Sequence, residues 1–184
     1  MHAVRILLVS GSTRAASTNT AALRTAGEVA PSEVDAVRFD GLARLPAFNP
    51  DDDLDEVPAP VRELRAAIDA ADAVLFSTPE YAGALPGAFK NLLDWTVGAI
   101  PGLNGKPVGW VNVAAEGRGI GADAELGTVL GYVGAAVVPD ACRRITVGHG
   151  TLEPDGTVGD PAVRSALTEV LAVLATARRG RGSA

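Results

Sequence analysis

The stretch AVLFSTPEYAGALPGAFKNLLDW, residues 73–95, decides the fold. Its first five residues, Ala73 to Ser77, are an apolar run with the length and the β-branched or aromatic character of a buried strand. Its last part carries Phe89, Leu92 and Leu93 at helical spacing. The stretch is therefore predicted to form a strand, a loop and a helix.

The loop in this stretch leaves the carboxyl end of the predicted strand, where parallel α/β sheets bind their ligands. An unusual loop path is indicated by Pro79, Gly83, Pro86 and Gly87. An ordinary connector is the alternative, but the loop is long and pairs an acid, Glu80, with an aromatic residue, Tyr81. We therefore expect this loop to border a ligand.

The N-terminal region predicts a second strand-loop-helix unit. The apolar run Ile6 to Val9 is followed by a hydroxyl-rich loop up to Asn19 and then by helix-forming residues. Ser17 is a plausible N-cap, and the free amides and dipole of the first helical turn favour an anion there. Further donors in this loop are Ser12, Thr13, Arg14 and Thr18. The loop predicts a phosphate site, with a capped helix behind a polar turn as the alternative.

Two common nucleotide motifs are missing from this loop. Gly11 is its sole glycine, so it cannot make the Gly-x-Gly-x-x-Gly turn of dinucleotide-binding proteins. It also lacks the Gly-Lys-Ser/Thr sequence of NTPase phosphate loops. A mononucleotide phosphate remains, and flavin mononucleotide (FMN) is the commonest cofactor for such a loop in an open α/β sheet.

The remaining sequence completes a doubly wound α/β fold. Strands are predicted at residues 34–39, 108–114 and 135–138, and helices begin at Pro60 and Pro161. In the strand order 2-1-3-4-5, the first and third strands are neighbours at the switch point, so their loops converge on one crevice. The glycine-rich turn 115–121 follows the fourth strand, where flexible backbone can approach a flat ligand, although ordinary turns use glycine too.

Length, net charge and composition limit the number of domains and the kinds of partner that we expect. The 184 residues suit one domain, predicted as residues 1–177, and the tail 178–184 lacks apolar anchors and should be disordered. The net charge of −6 and the lack of a large basic cluster argue against nucleic acid as a partner. No apolar run approaches the ~20 residues of a membrane span, so no membrane partner is expected.

Two further features are given a structural interpretation. Cys142 is the only cysteine, which excludes an intrachain disulfide and fits a reducing, cytoplasmic location. It is placed just after the fifth strand and interpreted as an unreactive thiol. The acidic run Asp51 to Asp53 lacks the spacing of an EF-hand, so we expect a solvated loop and no metal.

With both loops in place, the chain resembles the NADPH-dependent FMN reductase family of flavodoxin-like proteins, which includes flavin, quinone, azo-dye and chromate reductases. The resemblance runs from Ile6 to the last helix. It is carried by Gly11-Ser12-x-Arg14-x-x-Ser17-x-Asn19 and by Pro79-Glu80-Tyr81-Ala82-Gly83-x-x-Pro86-Gly87-x-x-Lys90-Asn91-x-x-Asp94-Trp95. Both motifs occur in the family's order and at its distance.

The resemblance implies a role for each motif. The FMN phosphate would be held by Ser12, Arg14, Ser17, Thr18 and Asn19, and the isoalloxazine ring would be bordered by Pro79, Glu80, Tyr81, Ala82 and Gly83. The third loop would add Glu116 and Gly117, although the family often has serine or glycine where this chain has Glu116 and Arg118. By family analogy, the structural residues Lys90, Asn91, Asp94 and Trp95 would also form part of a homodimer interface beside the flavin. The family typically forms dimers or dimers of dimers.

The resemblance predicts an FMN-dependent oxidoreductase. It would take hydride from NADPH or NADH and pass electrons to a flavin, quinone or similar acceptor in a ping-pong cycle, without a catalytic side chain of its own. One alternative is a flavodoxin-like electron carrier that holds FMN without reacting with a pyridine nucleotide. Another is a structural dimer that has lost the flavin.

Overall fold

Five parallel strands form a single sheet. The computed structural model describes residues 3–54, 56–97, 102–148 and 150–181. Its strands are β1 (Val4–Ser10), β2 (Val34–Phe39), β3 (Ala73–Ser77), β4 (Pro107–Asn112) and β5 (Ala136–Arg144). They lie in the order β2-β1-β3-β4-β5, and each neighbouring pair is parallel. The predicted fold class and strand order are confirmed.

Helices cover both faces of the sheet, which explains why the central strands are apolar throughout. They are α1 (Thr18–Glu28), α2 (Ala59–Ala70), α3 (Gly87–Asp94), α4 (Ile120–Tyr132) and α5 (Pro161–Arg181). One core packs α1 and α5 against the sheet, with Leu23 and Leu171 fully buried. The other packs α2, α3 and α4, with Leu64, Phe89 and Leu126 fully buried. None of the helices in the described ranges is long and apolar enough to cross a membrane.

The last helix begins where the sequence predicts but ends later than expected. Asp160 caps it, because its Oδ1 accepts hydrogen bonds from Ala162 N at 2.8 Å and Val163 N at 3.4 Å. The helix continues to Arg181, so the expectation of disorder was wrong for residues 178–181. Arg178 anchors this end, since its Nε donates to Asp72 Oδ1 at 3.1 Å. Residues 182–184 lie outside the described ranges.

The fifth strand is longer than predicted and contains Cys142. The apolar pattern stops at Pro139, but the strand continues past a register irregularity in its pairing with β4, and Cys142 pairs with Trp110. An edge strand tolerates this proline because its outer N–H groups need no partner. Burial raises the pKa of the Cys142 thiol to about 11, which agrees with the interpretation of an unreactive thiol.

The acidic run 51–53 is partly a structural element. Asp53 receives two hydrogen bonds from Arg65, at 2.6 and 2.9 Å, and both side chains are largely buried. Arg65 also donates to Trp95 O at 3.1 Å. The Arg65 guanidinium holds the pKa of the Asp53 carboxyl below its usual range. Arg65 of α2 therefore links the loop before this helix, through Asp53, to the end of α3.

Candidate functional site

Three loops meet at the carboxyl edge of the sheet. The β1 loop and the β3 loop are in direct contact at Gly11, where an added Cβ would lie 2.2 Å from Thr78 Oγ1 and 2.9 Å from Phe89 Cγ. The loop after β4 closes the third side. Together the loops enclose a cavity of about 330 Å³, lined by Thr18, Asn19, Thr78, Pro79, Glu80, Val113, Ala114, Ala115, Arg118 and Gly119.

The N-terminus of α1 lies at this cavity with its donors free. The first hydrogen bond of the helix runs from Ala21 N to Ser17 O, and the Ser17 side chain does not cap the helix. Within the described residues, no acceptor contacts the amides of Thr18, Asn19 or Thr20. Free amides and the helix dipole make this end of the cavity suited to an anion.

Asn19 adds a side-chain carboxamide beside these amides. It is only 5% exposed, and one end of its carboxamide lies 2.9 Å from Ser77 Oγ. Ser77 Oγ carries a single proton and also donates to Val111 O at 3.0 Å, so this contact does not distinguish the amide nitrogen of Asn19 from its oxygen. The other end of the carboxamide has no partner among the residues that the structure describes, and Asn19 lines the cavity. This end is a hydrogen-bonding group for a ligand.

The β3 loop forms a tight turn beyond the cavity wall. Tyr81 and Ala84 exchange two backbone hydrogen bonds of 3.0 Å, and the two residues between them have positive φ, +51° at Ala82 and +76° at Gly83. This is the turn type that glycine or asparagine usually occupies. Ala82 therefore holds a strained conformation, and Tyr81 at the turn is 55% exposed.

Glu80 connects this turn to α4. Its Oε2 accepts a hydrogen bond from Ala122 N at 3.1 Å, in the first turn of the helix. A Cβ at Gly121 would lie 1.9 Å from Gly83 O, so the turn rests directly on the helix backbone. In addition, Glu125 Oε2 accepts a hydrogen bond from Leu85 N at 2.6 Å. The β3 loop and α4 form one unit.

The β4 loop is held by polar side chains from two strand ends. Asn112 donates to Gly119 O at 3.0 Å and to Asp123 Oδ2 at 2.7 Å, and it accepts from Ala114 N at 3.0 Å. Arg144 Nη1 donates to Arg118 O at 2.6 Å. Gly119 has a φ of +78°, and a Cβ there would collide with the Asn112 amide. The backbone at this wall is therefore fixed.

The structure brings together some of the predicted site residues and separates others. Thr18, Asn19, Pro79 and Glu80 line the same cavity. Ser12 and Arg14 line a neighbouring cavity of about 260 Å³ beside the end of β2, and Ser17 lines another beside Arg24 and the 152–156 turn. The exposed residues beyond the cavity lining are Tyr81, Ala82, Gly83, Glu116 and Gly117.

Sequence reasoning missed several residues that shape the cavity. Thr78, Val113 and Ala114 line it, and Asn112 and Arg144 fix the backbone behind it. The turn 115–121 was predicted at a ligand as a whole, and its residues Ala115, Arg118 and Gly119 line the cavity. The guanidinium of Arg118 is exposed and makes no ion pair within the described part of the chain. One signal was available for Asn112, a polar residue near the carboxyl end of an otherwise apolar predicted strand, whereas Arg144 lies six residues beyond the predicted end of the fifth strand.

Residues 4–149 match the family described as NADPH-dependent FMN reductase. The chain belongs to this family. An NAD(P)H-dependent FMN reductase of Pseudomonas aeruginosa is 37% identical over 92 residues, 50% of this chain and 49% of that protein. The match thus spans about half the length of that relative. A 2-hydroxy-1,4-benzoquinone reductase of a Burkholderia species is 31% identical over 143 residues, 78% of this chain and 70% of that protein.

A solved structure shows the same fold as this FMN reductase family member. The flavoenzyme NAD(P)H:(acceptor) oxidoreductase from Paracoccus denitrificans superposes with a TM-score of 0.81, over 96% of this chain and 98% of that chain. The sequence identity is 24%, so the comparison bears on the fold alone. It agrees with the five-stranded parallel sheet covered by helices.

Proposed function

We propose that this protein is an FMN-dependent NAD(P)H oxidoreductase that reduces a quinone, a flavin or a similar acceptor. The observation that carries the proposal is the open N-terminus of α1, with free amides at Thr18 to Thr20 beside the Asn19 carboxamide, at one end of the cavity. FMN is a phosphate monoester joined to a flat ring. The residues present fit both ends of such a ligand.

The phosphate belongs at α1 in this proposal. Helix amides and the Asn19 amide would donate to its oxygens, with the Thr18 hydroxyl beside them. Ser12, Arg14 and Ser17 come from the same loop, and we propose that they complete the phosphate shell from the two adjoining cavities. Arg14 is exposed and has no ion-pair partner in the described ranges, so its guanidinium is free for a phosphate oxygen.

The ring belongs between the β3 and β4 loops. Neighbouring strands lie about 4.8 Å apart, so the β4 loop is about 10 Å from the β1 loop across the sheet edge. We propose that the backbone of residues 79–83 borders the ring on one side. Ala114, Ala115, Glu116 and Gly117 would border it on the other, where small side chains permit close approach.

The bound flavin would supply the redox chemistry, accepting hydride from a nicotinamide and returning electrons to a second substrate. The chain's own residues bind and orient it. The proline, alanine and glycine residues of the two loops would offer backbone to the ring, and we propose that no side chain is needed as a proton donor. Because a single cavity would receive the nicotinamide and the acceptor in turn, we propose a ping-pong order.

We also propose a homodimer. Two large apolar residues of α4 are exposed, Ile120 at 63% and Tyr132 at 90%, and burying them against a second copy would be favourable. The α3 residues expected to be structural do hold the chain together: Asn91 Nδ2 and Trp95 Nε1 both donate to Pro46 O, at 2.8 and 2.9 Å. Replacing Tyr132 with Glu should shift the mass measured by light scattering to that of a monomer.

We place the dimer in the cytoplasm, because a chain with one cysteine fits a reducing compartment.

Anaerobic stopped-flow mixing tests the function. The protein is loaded with FMN and mixed with NADPH or NADH, and the flavin absorbance is followed. Bleaching, followed by recovery when a quinone is added, supports the oxidoreductase and its ping-pong order. Bound flavin that no pyridine nucleotide bleaches would show an electron carrier instead. Protein that binds no FMN would contradict the proposal altogether.

A further inference from the structure

Glu80 acts as a helix cap supplied by another loop. Its Oε2 lies 3.1 Å from Ala122 N, and the two residues are 42 positions apart in the sequence. Ala122 is the third residue of α4, the position whose amide an N-cap side chain normally satisfies. The N-cap residue of α4 is Gly119, which has no side chain to do so. The carboxylate of Glu80 takes that place.

This contact is the main polar tie of the turn at residues 80–84. Tyr81 and Ala84 bond to each other, and the turn residues Tyr81, Ala82 and Gly83 are exposed. Within the described ranges, the Glu80 carboxylate makes the only hydrogen bond from these five residues to another part of the chain. Glu80 therefore holds the turn itself beside α4, and the bond from Leu85 N to Glu125 Oε2 holds the residue that follows it.

Glu80 and the turn pack closely against the backbone of α4. An added Cβ at Gly121 would lie 3.0 Å from Glu80 Oε2 and 1.9 Å from Gly83 O. The carboxylate also lies where the positive end of the helix dipole favours a negative charge. Because Glu80 lines the cavity, its attachment to α4 sets the path of the backbone on that wall.

We propose that Glu80 is a positioning residue for flavin binding and reduction, acting through the N-terminus of α4. The inference rests on the proposed function, since it assigns how the β3 wall of that site is held. Glu80 neither transfers a proton nor needs its charge at the ring. What it provides is a fixed turn, with residues 81–83 held beside α4 in FMN-free and FMN-bound protein alike.

Three variants test the proposal. Glu80→Ala removes the acceptor, whereas Glu80→Gln keeps an acceptor oxygen for Ala122 N and removes the charge. The matched control is Asp160→Ala, which removes the cap of α5 outside the cavity lining. The measurements are amide hydrogen exchange in FMN-free protein, the FMN dissociation constant by fluorescence quenching, and kcat and KM with NADPH.

We expect Glu80→Ala to speed exchange at residues 81–84 and 121–123 and to weaken FMN binding about tenfold, the equivalent of one lost cap. Glu80→Gln should restore both to within about threefold of the parent protein, because a neutral acceptor can still cap. Asp160→Ala should lower the melting temperature without changing FMN affinity.

Two outcomes would overturn the proposal. If Glu80→Gln is as impaired as Glu80→Ala in kcat while exchange stays normal, the charge acts directly at the ring. If Glu80→Ala leaves exchange at residues 81–84 unchanged, Glu80 does not hold the turn. Failure of the proposed function has a different signature, because the parent protein would bind no FMN while the exchange comparison would still report on the cap.

Discussion

Two helices start at the same edge of the sheet and treat their free amides in opposite ways. The N-terminus of α4 is filled from within the protein, because the Glu80 carboxylate accepts the Ala122 amide and Asp123 lies in its first turn. The N-terminus of α1 carries no acidic residue in its first turn and no side-chain cap. The first arrangement stabilises the fold. The second leaves backbone amides at the positive end of the helix dipole without acceptors, and an anionic ligand can bind them.

The difference shows that one helix N-terminus holds a loop of the protein, whereas the other is free to bind a ligand. A carboxylate at α4 fixes the β3 loop, while the donors of α1 remain free for an external anion. The Asn19 side chain, at 5% exposure and in contact with Ser77 Oγ, is held in one orientation beside these donors. We therefore predict that the affinity for phosphate resides in the N-terminus of α1.

The largest effect should come from making α1 resemble α4. Ser17→Asp places a carboxylate at the N-cap of α1. Like charges about 4 Å apart repel by about 4 kcal/mol at an effective dielectric near 20, so the FMN dissociation constant should rise by on the order of 10² to 10³. The same change should raise the unfolding free energy of FMN-free protein by about 1 kcal/mol, because it caps the helix. Fluorescence titration and urea unfolding measure the two quantities.

Ser17→Asn is the control for this change. It supplies a cap of similar size without the charge. FMN affinity that falls equally in both variants would mean that the cap geometry, and not the charge, excludes the phosphate.

The second effect concerns the contact between the β3 loop and α4. Gly121→Ala places a methyl group 1.9 Å from Gly83 O, so either the loop or the helix must move. We expect a loss of about 1–3 kcal/mol in unfolding free energy, as for overpacked sites, together with weaker FMN binding. Thermal and urea unfolding provide the measurement.

Gly131→Ala on the same helix is the matched control. An added Cβ at Gly131 meets no atom within 4 Å. It should therefore stabilise α4 by about 0.5–1 kcal/mol, as glycine-to-alanine changes do in helices. Equal destabilisation by both variants would show that the loop does not rest on Gly121.

The elements of this comparison differ in how far the sequence reveals them. Apolar runs, and the glycine, proline and polar residues between them, predict three of these elements. They are the strand before Thr78, the hydroxyl-rich loop before α1 and the order of the sheet. Local signals also identify Asp160 as a cap, because its partners Ala162 and Val163 lie two and three residues away. These predictions were confirmed by the structure.

The long-range contacts could not be predicted in this way. Glu80 and Ala122 are 42 residues apart, and nothing local to either shows that one caps the other. The same holds for Arg144 and Arg118 O, which are joined only because β5 ends beside the β4 loop. The sequence also did not indicate the positive φ of Ala82, because alanine rarely adopts such a conformation.

The third effect distinguishes the Asp53 carboxylate from the FMN phosphate by their different dependence on pH. The pKa of Asp53 is lowered chiefly by its hydrogen bonds to Arg65, so its contribution to stability is fully present above its unfolded pKa of about 3.9 and is lost as the pH falls through the lower folded value. A phosphate monoester instead loses charge near pH 6. FMN affinity should therefore fall severalfold between about pH 7 and 5, where the contribution of Asp53 to stability is intact.

Parallel titrations at each pH check this separation. FMN affinity is measured by fluorescence and stability by urea unfolding. Affinity that stays constant down to pH 5 would indicate that the dianionic phosphate is not the group held by α1.

The smallest effect concerns the strained turn beside α4. Ala82 has a φ of +51°, which asparagine adopts at lower cost than alanine. Ala82→Asn should therefore raise the unfolding free energy by about 0.5–1 kcal/mol. Ala47→Asn, at an exposed loop residue without positive φ, should change it by less than about 0.5 kcal/mol. A destabilised Ala82→Asn protein would contradict the turn conformation.

The central claim is that the open N-terminus of α1 holds the phosphate of FMN. The most direct measurement compares the affinities of the FMN-free protein for FMN and for riboflavin, which has the same ring and no phosphate. We predict that FMN binds at least about 100-fold more tightly, as expected for several charge-assisted hydrogen bonds. Equal affinities would contradict the claim, because they would show that the ring alone supplies the binding free energy.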